Sequence, residues 1–77
     1  MESFRTHDLA LVATLLYEKH HLLDLDRNKP SVEFIFEDSP KLQDTIARYW
    51  KDELLCPAQS LLASLRKAKH ILYDSQA

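Results

Sequence analysis

Two hydrophobic periods alternate along this chain, and the switches between them mark its elements. "SFRT" (3–6) reads as a short strand or an extended lead-in. Behind it, Leu9, Ala10, Leu11, Val12, Ala13, Leu15, Leu16 and Tyr17 make a block that is apolar nearly all round, with only Thr14 intervening. The block predicts a helix from about 7 to 20, with Thr6 as its N-cap and Asp8 in the first turn, where negative charge suits the helix dipole. A helix of this kind must be covered on more than one side. In 77 residues that cover comes from a sheet, from other helices or from a second copy.

"LLDLDR" (22–27) then alternates, with Leu23 and Leu25 on one side and Asp24 and Asp26 on the other. "VEFIFE" (32–37) is the clearest strand. Val32, Phe34 and Phe36 share one face, and Glu33, Ile35 and Glu37 the other. "NKPS" between the two runs is turn chemistry, so they predict an antiparallel hairpin. Ser39-Pro40 signals the next helix, serine as N-cap and proline where a missing donor costs nothing. Glu37 and Asp38 then lie just ahead of a positive helix end, and Leu42, Ile46, Tyr49 and Trp50 follow at helical spacing. After the break "LLCP", a third helix is expected from Pro57. Its buried stripe is Ala58, Leu61, Leu62, Leu65, Ala68 and Leu72, while Gln59, Arg66, Lys67 and His70 point elsewhere. No linker or repeat is visible. The pattern predicts one α+β domain over residues 1–77, ordered β-α-β-β-α-α, with an antiparallel hairpin packed against helices.

Three stretches, "FRTHDLALVATLL", "VEFIFEDSPKLQDTIARYW" and "CPAQSLLASLRKAKHILY", carry a resemblance. Phe4, Thr6, Asp8 and Leu9 fit an aromatic-x-Thr-x-Asp-Leu start, and Phe34, Phe36 and Asp38 fit a Phe-x-Phe-x-Asp strand end. A proline-initiated helix rich in basic residues closes the chain. Together they resemble a small bacterial and phage family known only as a domain of unknown function. The likeness spans nearly the whole chain and implies no activity. Cys56 departs from it, standing where a better capping residue such as Asn or Asp is expected.

Composition narrows the function classes. With 45% hydrophobic and 29% charged residues and a net charge of −2, the chain is that of a folded protein with a mixed surface. One cysteine, Cys56, excludes an internal disulfide framework and multi-cysteine zinc sites. Glycine is absent, which excludes the phosphate-cradling loops and leaves tight turns to residues such as Asn28. The longest apolar run, "LALVA" (9–13), is far below the ~20 residues that cross a bilayer, and no signal-peptide core is present. A cytoplasmic protein without membrane contact is expected.

No candidate for catalysis or metal binding is complete. In "DLDRNKP", Asp24, Asp26 and Asn28 mimic the first three ligands of a calcium loop. Lys29 stands where that loop turns on glycine, however, and Ile35 stands where it needs its bidentate glutamate. Asp26 and Glu33 on adjacent strands suggest a nuclease-like pair, but the residue two beyond the second acid is Ile35 rather than lysine. His7 and His21 flank the first helix, over about 18 Å apart at 1.5 Å per residue. His20 and His21 diverge as sequence neighbours. Cys56 beside Pro57 reads as a small apolar residue at a corner. No enzyme activity, cofactor or metal is expected.

Three surfaces remain for partners. Arg66, Lys67, Lys69 and His70, extended by Arg5, form a basic group suited to nucleic acid, although the pI near 6.0 argues against a dedicated binder. Tyr49 and Trp50 could anchor a protein partner, while filling the core is their plainer role. The all-round apolar first helix predicts a homo-oligomer. The expectation is a non-enzymatic accessory domain that self-associates and meets an unidentified protein, with a small nucleic-acid-binding regulator as the alternative.

Overall fold

A computed structural model of the chain describes residues 3–28 and 30–74. Its elements are β1 (Ser3–Thr6), α1 (Leu9–Tyr17), β2 (Leu22–Asp26), β3 (Glu33–Glu37), α2 (Pro40–Trp50) and α3 (Ala58–Asp74). This is the expected α+β order. The hairpin strands pair antiparallel, and β1 adds to the far side of β3, giving a sheet ordered β1-β3-β2.

The central strand decides which way the sheet faces. Phe34 and Phe36 are buried among Leu11, Val12, Leu15, Leu42, Ile46 and Ala68. Phe4, Leu22 and Leu25, from the flanking strands, pack on the same cluster. The helices therefore cover one face of the sheet. The opposite face carries Arg5, Asp24, Asp26, Glu33, Ile35 and Glu37, as the pairing of Arg5 and Asp24 with Ile35, and of Asp26 with Glu33, requires. A smallest extent of 18 Å fits one sheet and one helical layer.

Several boundaries differ from expectation. α1 is shorter at both ends. Asp8, not Thr6, is its N-cap: the Asp8 carboxylate accepts from the Ala10 and Leu11 amides at 3.0 and 3.3 Å. Thr6 completes β1, and its hydroxyl accepts from the Asp8 amide at 3.1 Å. A carboxylate is the stronger acceptor for the positive end of the helix. At the other end, Lys19 takes φ 64°, the His20 amide donates to the Leu15 carbonyl, and the Lys19 amide donates to Leu16. This is a Schellman cap, and it takes His20 and His21 out of the helix.

β2 carries an irregularity in register between Leu22 and Asp24. The extra residue turns Leu22 and Leu25 inward, and Leu23, expected beside Leu25, is left 45% exposed. α2 starts as predicted, with the Ser39 hydroxyl accepting from the Leu42 amide at 3.0 Å and Pro40 in the first turn. α3 begins at Ala58, and the Pro57 carbonyl accepts its first helical bond from Leu61. Of the expected stripe, Leu61, Leu65, Ala68 and Leu72 are buried or half-buried, whereas Ala58 and Leu62 are exposed. Among the described residues, no helix is long and apolar enough to cross a membrane.

Candidate functional site

The first helix does not supply an assembly surface. Leu11, Val12, Ala13, Thr14 and Leu15 are all buried within the chain. α1 packs on the sheet with α3 alongside it and also touches α2, so the fold itself covers the buried block that the sequence placed in this helix. The expectation of self-association through α1 is corrected on that ground.

Apolar surface is instead left over at the junction of α2 and α3. α2 ends in a second Schellman cap, with Asp52 at φ 58°, the Glu53 amide donating to the Arg48 carbonyl and the Asp52 amide to Tyr49. The chain then runs through 53–57 into α3. Tyr49 packs on the core, and its ring meets that of Trp50 edge-to-face at 5.0 Å. Trp50, about 100° further round the helix, does not fill the core: it is 67% exposed. Leu55 is 94% exposed and Leu62 52%. A cleft of about 410 Å³ opens here, lined by Thr14, Tyr49, Trp50, Asp52, Leu54, Cys56 and Leu61. An exposed tryptophan on the wall of a cleft, with exposed Leu55 and Leu62 next in sequence to lining residues, is the kind of feature that marks a contact surface.

Sequence reasoning found Trp50 and missed its neighbours. The available signal was the pair of Leu-Leu doublets at 54–55 and 61–62. Adjacent helical residues point about 100° apart, so the second leucine of 61–62 has to leave the buried stripe. Cys56 half-lines the cleft. Burial, and to a lesser degree the negative Glu18, push its thiol pKa up, which keeps it protonated. Burial and then Asp8 likewise push the Tyr49 hydroxyl up.

The α3 cations and Arg5 do not share one surface. Arg66, Lys67, Lys69 and His70 are all exposed on α3, but at 100° per residue Lys67 and Lys69 diverge by roughly 160°. Lys67 faces a groove shared with Tyr17, Glu18 and Lys19. Arg66 and Lys69 lie within about 40° of Leu62. Arg5 stands on the open face of the sheet, in the other layer. It donates to Asp26 at 2.9 Å and lies 3.7 Å from Glu33.

That same arrangement occupies the nuclease-like acids. Asp26 and Glu33 are direct cross-strand partners, and their carboxylates converge on the Arg5 guanidinium. The carboxylates of the loop motif serve the backbone, Asp26 accepting from the Asn28 amide at 3.0 Å and Asp24 from Leu25 at 2.8 Å. Lys29 lies outside the described residues. Among those described, no three His, Cys, Asp or Glu side chains are grouped to hold a metal. His20 is half-buried, with Nε2 2.9 Å from the Thr45 hydroxyl.

A family model for DUF5659, described as a domain of unknown function, matches residues 1–74. The chain belongs to the DUF5659 family. No curated protein and no solved structure matches it. The residues that carried the resemblance to an uncharacterised family each hold part of the DUF5659 fold. Thr6 and Asp8 join β1 to α1, and Phe34 and Phe36 anchor the core. Asp38, ahead of α2, accepts from the Gln43 side chain at 3.0 Å. These DUF5659 positions are occupied with folding.

Proposed function

We propose that this chain is a cytoplasmic, non-enzymatic binding domain that works by pressing its α2–α3 corner onto another protein surface. The observation that carries this reading is Trp50, mostly exposed on the wall of a cleft that Tyr49, Leu54 and Leu61 also line, with Leu55 and Leu62, next in sequence to two of these, exposed as well. Leaving such side chains in water forfeits roughly 1.5–3 kcal/mol for each that a partner would bury. A tryptophan at the rim of a pocket is also the residue type that most often dominates a protein interface.

A photo-crosslinking residue placed at Leu55 in cells that make the protein tests the reading, with Lys41 as the control position. Lys41 is exposed at the far end of α2, away from the corner. Adducts of defined mass from position 55, and none from position 41, are expected. Position 55 behaving like position 41 would sink the proposal.

A second reading, nucleic-acid binding, is favoured by one observation: Arg66, Lys67 and Lys69 are exposed and have no acidic partner among the described residues. Binding through phosphates weakens steeply with salt. Anisotropy of labelled oligonucleotides at about 50 and 200 mM salt separates the two readings, because an apolar contact lacks that dependence.

A further inference from the structure

A polar groove lies where the end of α1 meets α3, and it shares no lining residue with the cleft beside Trp50. It holds about 580 Å³, a volume in the range of small-molecule sites. Tyr17, Glu18, Lys19, Ser60, Ser64 and Lys67 supply its polar lining. The three from α3 recur at i, i+4 and i+7, so the helix sets them along one face.

The donors of this groove are unspent. In the middle of α1 and α2, the Thr14 and Thr45 hydroxyls donate to the carbonyls four residues earlier, at 3.0 and 3.1 Å. Ser60 and Ser64 make no such bond, although it is the usual local partner of a helical hydroxyl. Nor do the side chains of Tyr17, Lys19 and Lys67 have a partner among the described residues. The Leu15 and Leu16 carbonyls at the end of α1, in contrast, are taken up by the His20 and Lys19 amides. Two cations and three hydroxyls thus line the groove unpaired, against one carboxylate, that of Glu18.

Lys19 carries a second mark. It holds φ 64° at a cap position that glycine fills most readily. Non-glycine residues kept in the left-handed region cluster at ligand clamps and active sites. Glycine here would relieve the backbone and remove one of the two cations from the groove.

We propose that this groove binds a phosphorylated sugar, free or as part of a nucleoside monophosphate. Lys19 and Lys67 supply the counter-charge for the phosphate, and Ser60 and Ser64 donate to its oxygens, the charge-assisted bonds that phosphate forms best. Glu18 accepts from the sugar hydroxyls and repels longer phosphate chains. Inorganic phosphate alone would leave most of the groove empty. The site goes beyond the contact-surface reading and does not depend on it.

Amide shifts of the isotope-labelled full chain, titrated with ribose-5-phosphate, AMP and inorganic phosphate, test the proposal. Saturable shifts centred on Lys19, Ser60, Ser64 and Lys67 are expected with the two esters, and about tenfold weaker binding of inorganic phosphate, which lacks the contacts to Glu18. Tighter binding of AMP than of ribose-5-phosphate identifies a nucleotide, and the reverse a free sugar phosphate. Lys19→Gly, which eases the backbone, keeps the fold and weakens binding by about tenfold or more, as does Lys67→Met, since each removes a charge-assisted bond. Arg66→Gln with Lys69→Gln, at residues that do not line the groove, leaves binding unchanged. Three results would overturn the proposal: no shifts at these amides with either ester, an equal response to inorganic phosphate (an adventitious ion only), or full binding by Lys19→Gly. An oligonucleotide that binds where both esters fail would assign the phosphates to the outer cations of α3 and not to the groove.

Discussion

The imidazole of His20 lies 2.9 Å from the hydroxyl of Thr45 and ties the end of α1 to the middle of α2. Thr45 is buried, and its hydroxyl also donates to the Lys41 carbonyl at 3.1 Å. That leaves the oxygen to accept from His20 Nε2–H. Burial lowers the His20 pKa; Glu18 opposes the shift and Lys41 adds to it. Because the folded pKa lies below the unfolded value of 6.5, the unfolded state binds more protons in mild acid. The stability that comes from a neutral His20 is whole above pH 6.5 and is lost as pH falls through the depressed folded value. Urea unfolding at successive pH values should show this decline in the native protein. A His20→Gln variant should show less of it, and an identical pH profile in the variant would refute the assignment.

A chain without glycine has closed two helices on residues that disfavour the left-handed region. Lys19 and Asp52 both stand at positive φ in Schellman caps. A left-handed non-glycine residue costs roughly 1–2 kcal/mol. Lys19→Gly should therefore stabilise the fold by about 1 kcal/mol, net of the greater freedom of glycine in the unfolded chain. For a domain of this size that raises the melting temperature by about 4–8 °C. Lys19→Ala should bring no such gain. Calorimetry on the two variants decides it.

Two alanines of α3 look alike in sequence and differ in the fold. Ala68 is fully buried in the core, and Ala58 is exposed. Enlarging Ala68 to leucine should cost about 1–3 kcal/mol, because a packed core has no room for the extra methylenes. Ala58→Leu should fall within about 0.5 kcal/mol of the parent, as surface changes do. Denaturant midpoints that move equally would contradict this packing.

Arg5 fills the gap between Asp26 and Glu33. Millimolar calcium or magnesium should leave the melting temperature unchanged, since the carboxylates already have their counter-charge. Arg5→Ala should cost about 1 kcal/mol or less, as expected for exposed ion pairs. A large rise in melting temperature with either ion in the native protein would restore the metal-site reading.

Local chemistry made much of this architecture legible. Ser39-Pro40 announced α2, the alternation of Phe34 and Phe36 with Glu33 and Glu37 announced the central strand, and the apolar block announced α1. Each is a short-range pattern, set by the helical or strand period and by which backbone donors lack partners. The site was only half legible. Trp50 stood out by type, whereas Leu55 and Leu62 read as ordinary apolar residues until the helices were placed.

What the sequence determined by itself was the element order, the face of β3 that turns inward and the want of glycine at tight turns. Tertiary structure alone decided which apolar residues stay in water and which charges meet. α3 lies along α1 and closes the surface that the first helix had offered for assembly. An extra residue in β2 turns Leu22 inward in place of Leu23. The sheet carries Arg5 away from the other cations and onto two acids. Burial and ion pairing depend on distances between residues far apart in the chain. No local period encodes those distances, and here they leave Trp50, Leu55 and Leu62 in solvent.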